Sequence, residues 1–131
     1  MGCELKWMSF ITEEHLDLRF RVLRENQPRE SAHYPGIDDD KRTKFLGAFI
    51  ENKLVGCATL QVDPKNGCKY RIRGMAVEPN NRNQGIGTKI VKKLQMIAKK
   101  EGTGIWCNAR IKAITMYEKC DFKIVSEVFE I

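Results

Sequence analysis

The sequence has no run of about 18 consecutive apolar residues, so it offers no membrane-spanning segment. Its start, Met1-Gly2-Cys3-Glu4-Leu5-Lys6, has no basic stretch followed by a long apolar region, and no secretory signal is visible. Lys6 stands where an N-myristoylation start wants Ser or Thr. No linker, repeat or low-complexity tract interrupts the chain, and one domain over residues 1–131 is expected. The cysteines Cys3, Cys57, Cys68, Cys107 and Cys120 are odd in number and form no C-x-x-C pair. That disfavours a zinc site or a disulfide framework and favours reduced thiols in a cytoplasmic protein. Aromatic residues make up only 8% and no nucleic-acid recognition motif appears, so a nucleic-acid partner is disfavoured. His15 and His33 stand alone and read as surface residues.

Hydrophobic residues reach 42%, enough to bury a core. The net charge is +6, which suits an anionic cofactor, nucleic acid or mere solubility. Residues 4–11 alternate loosely and predict a first strand. Thr12 is placed to cap a helix that begins Glu13-Glu14 and carries Leu16, Phe20 and Leu23 as its apolar stripe. Residues 27–41 are polar and read as a loop, with room for a short helix within it. Residues 44–51 and 54–62 predict two strands joined at Asn52-Lys53, and Asp63-Pro64-Lys65-Asn66-Gly67 predicts a turn before a strand over 69–77. The longest helix is expected over 85–100, with Ile86, Ile90, Val91, Leu94, Ile97 and Ala98 on its buried side. A short buried strand over 104–108, a helix over 111–119 and a last strand over 122–129 complete the chain. The order implies an α/β domain, with antiparallel strands first and then a parallel pair joined by a right-handed crossover.

The segment between the 69–77 strand and the long helix is Glu78-Pro79-Asn80-Asn81-Arg82-Asn83-Gln84-Gly85-Ile86-Gly87. Glycines at the start of a helix let a ligand approach free backbone N–H groups at the positive end of the dipole. That is an anion site suited to a pyrophosphate, and Arg82 can add a charge-assisted bond. Ile90 at the third position excludes a G-x-G-x-x-G dinucleotide fingerprint, and Gly87-Thr88-Lys89 misplaces the lysine of a Walker loop. The same glycines would also serve an ordinary turn.

Three segments together resemble the GNAT N-acetyltransferase superfamily. Arg82-x-x-Gly85-x-Gly87 is similar to its R/Q-x-x-G-x-G/A loop, and Arg73-Gly74-Met75-Ala76-Val77-x-Pro79 to the strand that feeds it. Trp106-Cys107-Asn108-Ala109-Arg110, followed by Met116-Tyr117-Glu118-Lys119-Cys120-Asp121-Phe122, resembles its N-x-x-x-x-A-x-x-(F/L)YEK-x-GF segment. Asp121 stands where glycine is usual. The likeness is specific over the C-terminal half; the first forty residues match only in pattern.

The resemblance implies a mixed central sheet with helices on both faces. Its antiparallel N-terminal strands lead to a parallel pair flanking a cofactor slot. It implies acetyl-CoA as cosubstrate, with no metal. Met75, Ala76 and Val77 would line the slot; the amides of Asn83, Gln84, Gly85, Ile86, Gly87 and Thr88 would hold the pyrophosphate, beside Arg82. Asn108 would bond the pantetheine, and Tyr117 would protonate the departing thiolate. A strand amide would polarise the acyl carbonyl. The acceptor would be a primary amine of a small molecule or a protein. On local grounds alone, Tyr117 reads as a core aromatic, Asn108 as a helix cap and Cys107 as core packing. No carboxylate is singled out as general base among Glu78, Glu30 and Asp38, Asp39 and Asp40.

Family members add a seventh strand after the sixth, whereas this chain ends at Phe129-Glu130-Ile131. Three expectations follow: a CoA-binding protein or fragment without turnover, an incomplete sheet beside residues 104–108, or a swapped homodimer in which a partner chain supplies the strand. A basic nucleic-acid-binding module is the remaining alternative.

Overall fold

In the computed structural model, residues 2–124 are described. Strand β1 (Glu4–Met8) precedes helix α1 (Glu13–Leu23) and a short 3-10 turn (Arg29–Ala32). Strands β2 (Lys44–Ile50), β3 (Lys53–Lys65) and β4 (Cys68–Val77) follow. A 3-10 turn (Pro79–Asn81), helix α2 (Ile86–Lys100), strand β5 (Gly104–Trp106) and helix α3 (Ile114–Lys119) complete the described elements, with a 3-10 turn (Ile111–Ala113) before α3. The sheet order is β1-β2-β3-β4-β5. The first three pairings are antiparallel, and β4 and β5 are parallel, joined through α2.

Turn chemistry fixes the two central hairpins. Glu51 and Asn52 have φ of 51° and 67°, and Asn66 and Gly67 have φ of 52° and 81°. Paired left-handed residues match the twist of two-residue hairpins. The first turn therefore lies one residue earlier than Asn52-Lys53. Pro64 remains inside β3, where the pairing with β4 is irregular between Val62 and Lys65 and a missing N–H is tolerated.

Helices cover both faces. On one, Ile86, Ile90, Val91, Leu94 and Ala98 of α2 join Leu46, Ala48, Ala58, Leu60, Tyr70 and Ile72 of the sheet. Tyr117 and Cys120 of the α3 segment close that cluster. Each fully buried side chain of the size of Ile90 or Leu94 contributes about 1.5–3 kcal/mol. On the other face, Leu18 of α1 packs with Leu54, Cys57 and Ala76.

Helix α1 starts where expected, with the Thr12 hydroxyl accepting from the His15 amide at 3.1 Å. Its buried side differs from the expected stripe. His15, Leu18 and Arg19 are buried, whereas Leu16, Phe20 and Leu23 are half-buried. His15, expected at the surface, is fully enclosed and packs edge-on against Phe45, with ring centres 5.7 Å apart. Polar partners in the segment after α1, with one from the sheet, set this rotation. Arg19 donates to both carboxylate oxygens of buried Asp38 at 2.7 and 3.1 Å, to the Thr59 hydroxyl at 2.7 Å and to the Ala32 carbonyl at 2.7 Å. Both terminal nitrogens of Arg19 are satisfied in this way, although its Nε is left without a partner, and that buried pair outweighs a simple apolar periodicity.

Other boundaries also move. The first strand ends at Met8, and β5 ends at Trp106 and is half-buried rather than buried. The expected 111–119 helix divides into a 3-10 turn and α3. Residues 122–124 carry no strand pairing. The rest of the expected last strand, and with it the incomplete edge or swapped dimer, lies outside the described residues. Among the described residues, no helix is long and apolar enough to cross a membrane.

Candidate active site

The parallel pair is short. Cys68 faces Gly104, Tyr70 faces Ile105 and Arg71 faces Trp106; beyond that rung β4 continues to Val77 without a described strand on that side. Its backbone N–H and C=O groups there form an open edge, which is a template for an extended ligand. The edge is also bent. Cys57 pairs with Ala76 and Thr59 with Arg73, so Gly74 and Met75 together oppose Ala58 in a β-bulge. Gly74 has φ of 55°, and a Cβ there would lie 2.7 Å from the Arg19 Nε.

The edge runs directly into the glycine loop. Asn83 and Gly85 have φ of 63° and 77°. Gly85 is the N-cap of α2 and no side chain bonds the first amides of the helix, leaving those donors directed outward. A Cβ on Gly85 would meet nothing within 4 Å, so its backbone conformation, not crowding, selects glycine. Gly87 is different: a Cβ there would lie 3.3 Å from Met75 Cε and 3.6 Å from Met116 Sδ. Ile86 is buried and anchors the loop, whereas Arg82, Asn83 and Gln84 are exposed and Thr88 is half-buried. Arg82 turns back on the strand, its Nε donating to the Val77 carbonyl at 3.4 Å.

The α2 face of the bulge meets Tyr117. Its hydroxyl donates to Met75 Sδ at 3.5 Å, and its ring lies 5.2 Å from that of Phe122. Burial first, and the adjoining Cys107 thiol second, push the Tyr117 phenol above its usual value of 10, so it stays protonated. Burial also pushes Cys107 up to about 11, which makes it a neutral thiol and not a nucleophile.

Met75, Gly87 and Tyr117 are thus brought together, with Val77 half-buried on the same side. Ala76 alternates away and packs with Leu18 on the α1 face. Asn108 is exposed past the end of β5. The carboxylates near the site are engaged elsewhere. Glu78 accepts two bonds from Arg21, at 2.6 and 3.1 Å. Asp38 holds Arg19, and Asp40 is kept near a pKa of about 2 by Arg42. Glu30 is exposed. Among the described residues no group of His, Cys, Asp or Glu is placed to hold a metal ion.

One cluster was not singled out from the sequence: Arg24 and Arg73 over Tyr34, with Arg71, on the same face of β4, over Trp106. The alternation Tyr70-Arg71-Ile72-Arg73 carried the signal. It sends the arginines to the α1 face while Tyr70 and Ile72 enter the core.

A mixed sheet whose parallel pair parts beside a glycine loop at a helix start is the architecture of the acyl-CoA N-acyltransferases. The fold superposes on an acyl-CoA N-acyltransferase from Pseudomonas aeruginosa with a TM-score of 0.75, at 20% identity, over 98% of this chain and 91% of that one. It superposes on an aminoglycoside antibiotic 6'-N-acetyltransferase from Acinetobacter baumannii with a TM-score of 0.72, at 16% identity, over 99% and 97% of the two chains. The chain belongs to the GNAT acetyltransferase family, whose model matches residues 6–122, and it is an acyltransferase of that family. It is also 30% identical to the uncharacterized N-acetyltransferase YitI of Bacillus subtilis, over 98% of this chain and 87% of that protein. The family uses an acyl-CoA as cosubstrate.

Proposed function

We propose that the protein transfers an acetyl group from acetyl-CoA to a primary amine by direct attack in a ternary complex. The observation that carries this reading is the continuity of two features: the bent, open edge of β4 and the uncapped start of α2 that it feeds. An extended thioester arm suits the first and a pyrophosphate the second.

The backbone of Met75, Ala76 and Val77 would pair with the arm. The amides from Asn83 through Gln84, Gly85, Ile86 and Gly87 to Thr88 would hold the pyrophosphate, with Arg82 released from the Val77 carbonyl to join them. Asn108, exposed at the end of β5, is free to bond the pantetheine. Acetyl-CoA supplies an activated acyl group with a thiolate leaving group. A β4 amide polarises its carbonyl; the neutral amine attacks, the C–N bond forms and the C–S bond breaks, Tyr117 gives its proton to the departing sulfur, and the proton lost by the amine nitrogen returns through water to the Tyr117 phenolate. The Tyr117 phenol is protonated at neutral pH, so a proton is there to give. A cytoplasmic setting fits the five free cysteines.

The test is a thermal shift with acetyl-CoA on the wild type and on Gly85→Asp. Millimolar acetyl-CoA should raise the wild-type melting temperature and leave the variant unmoved, since the variant puts a strained, negative residue at the phosphate loop. No shift in the wild type would remove this reading. A shift without product from any amine would leave a CoA binder instead of an enzyme.

A further inference from the structure

Three guanidinium groups surround the ring of buried Tyr34: Arg19 at 3.9 Å, Arg73 at 5.0 Å and Arg24 at 5.8 Å. Only Arg19 is matched by a carboxylate, that of Asp38. Among the described residues Arg24 and Arg73 make no salt bridge, and Arg71 reaches Asp63 only at 3.5 Å. The Nε atoms of Arg24 and Arg71 are buried without a hydrogen-bond partner, as is Gln61 Oε1. Sheet register pairs Thr59 with Arg73 and Gln61 with Arg71, so these groups share the α1 face.

Their position is specific. Arg71 sits on the last β4–β5 rung, opposite Trp106, and Arg73 stands immediately past the parting of the strands. The glycine loop and Tyr117 lie on the α2 face; the arginines approach the same opening from the α1 face. Partly buried like charges without counterions are unfavourable in the free protein. Burial and the neighbouring Arg71, Arg24 and Arg19 charges all lower the Arg73 pKa, which is the mark of a cation lacking its anion.

We infer that the acceptor is a small amine carrying a carboxylate, gripped by Arg73 and Arg24 on the α1 face while its amine enters the β4–β5 opening. This rests on the acetyl-transfer reading above and adds the substrate class. Guanidinium groups match carboxylates with paired, charge-assisted bonds. A polyamine or another polycation would meet repulsion at the same place.

The experiment is steady-state acetylation of a panel of amino acids, their amides, putrescine and spermidine, with the full chain and acetyl-CoA. At least one amino acid should exceed its amide by about tenfold or more in kcat/KM, the scale set by one charge-assisted hydrogen bond. Arg73→Gln should erase that preference through the acceptor KM, Arg73→Lys should keep part of it, and the acetyl-CoA thermal shift should be unchanged in both. If Arg73→Gln does not fold, Arg24→Gln at the end of α1 replaces it. A binding measurement removes the need for turnover. N-acetyl amino acids titrated into CoA-saturated protein should bind more tightly than N-acetyl amides, and more weakly to Arg73→Gln. Amides or polyamines that equal the acids in both formats overturn the inference while leaving acetyl transfer intact. Absence of any acetyl-CoA shift removes both together.

Discussion

The Tyr117 hydroxyl donates to the sulfur of Met75 at 3.5 Å, tying α3 to the bulge of β4. A thioether is a weak acceptor, so this contact positions the phenol without committing its proton. The same Met75 lies against Gly87 through its methyl group. One residue thus links the bent strand, the glycine loop and the candidate acid. Tyr117 is a core aromatic, as its local sequence reads, and its hydroxyl lies at the β4 bulge, where the proposed acid role can be tested.

Tyr117→Phe keeps the ring and its packing while removing the proton. We expect kcat to fall about 100-fold, within the range for a general acid, with the acetyl-CoA KM changed less than about threefold. Because burial holds the phenol above 10, it should impose no downturn of kcat on the alkaline side below about pH 10. Unchanged kcat in the phenylalanine variant would leave Tyr117 as packing alone.

Gly74→Ala tests the bulge. Its φ of 55° is strained for alanine, and the new Cβ would lie 2.7 Å from Arg19 Nε and 3.2 Å from the Tyr34 ring. The combined cost should be about 2 kcal/mol in urea unfolding, typical of backbone strain with overpacking. Stability equal to wild type would mean that the bulge and the Arg19 network yield easily.

His15 gives a pH signature. Burial, then the Arg19 charge, lowers its pKa from 6.5 to about 3. The folded state therefore holds the ring neutral, while the unfolded chain binds a proton below 6.5. Stability from this group is present above pH 6.5 and declines as pH falls toward 3. Between pH 7 and pH 5 the loss should be about 2 kcal/mol. His15→Leu should flatten that decline in urea titrations at the two pH values; an equally steep decline in the variant would place the acid sensitivity elsewhere.

Much of the site was legible because its chemistry is local. Gly85 and Gly87 at a helix start, Thr12 before two acids, and Asn66-Gly67 between strands each act through their own backbone geometry. The apolar stripe of α2 was legible for a related reason: a long helix against a sheet leaves one face to bury, and Ile86, Ile90, Val91, Leu94 and Ala98 supply it. Helix α1 was misread because its buried face is polar. Periodicity favours Leu16, Phe20 and Leu23, but Asp38, nineteen residues beyond Arg19, draws the arginine inward and carries His15 with it.

The element order as far as α3, the glycine loop that opens α2 and the family resemblance could be read from the chain alone, because each depends on residues close together in it. Tertiary structure decided where β5 leaves β4, that Tyr117 meets Met75, and that Arg24 and Arg73 converge on Tyr34. Those contacts join segments far apart in sequence, and their energy comes from burial and charge that exist only once the sheet and its two helical layers have closed.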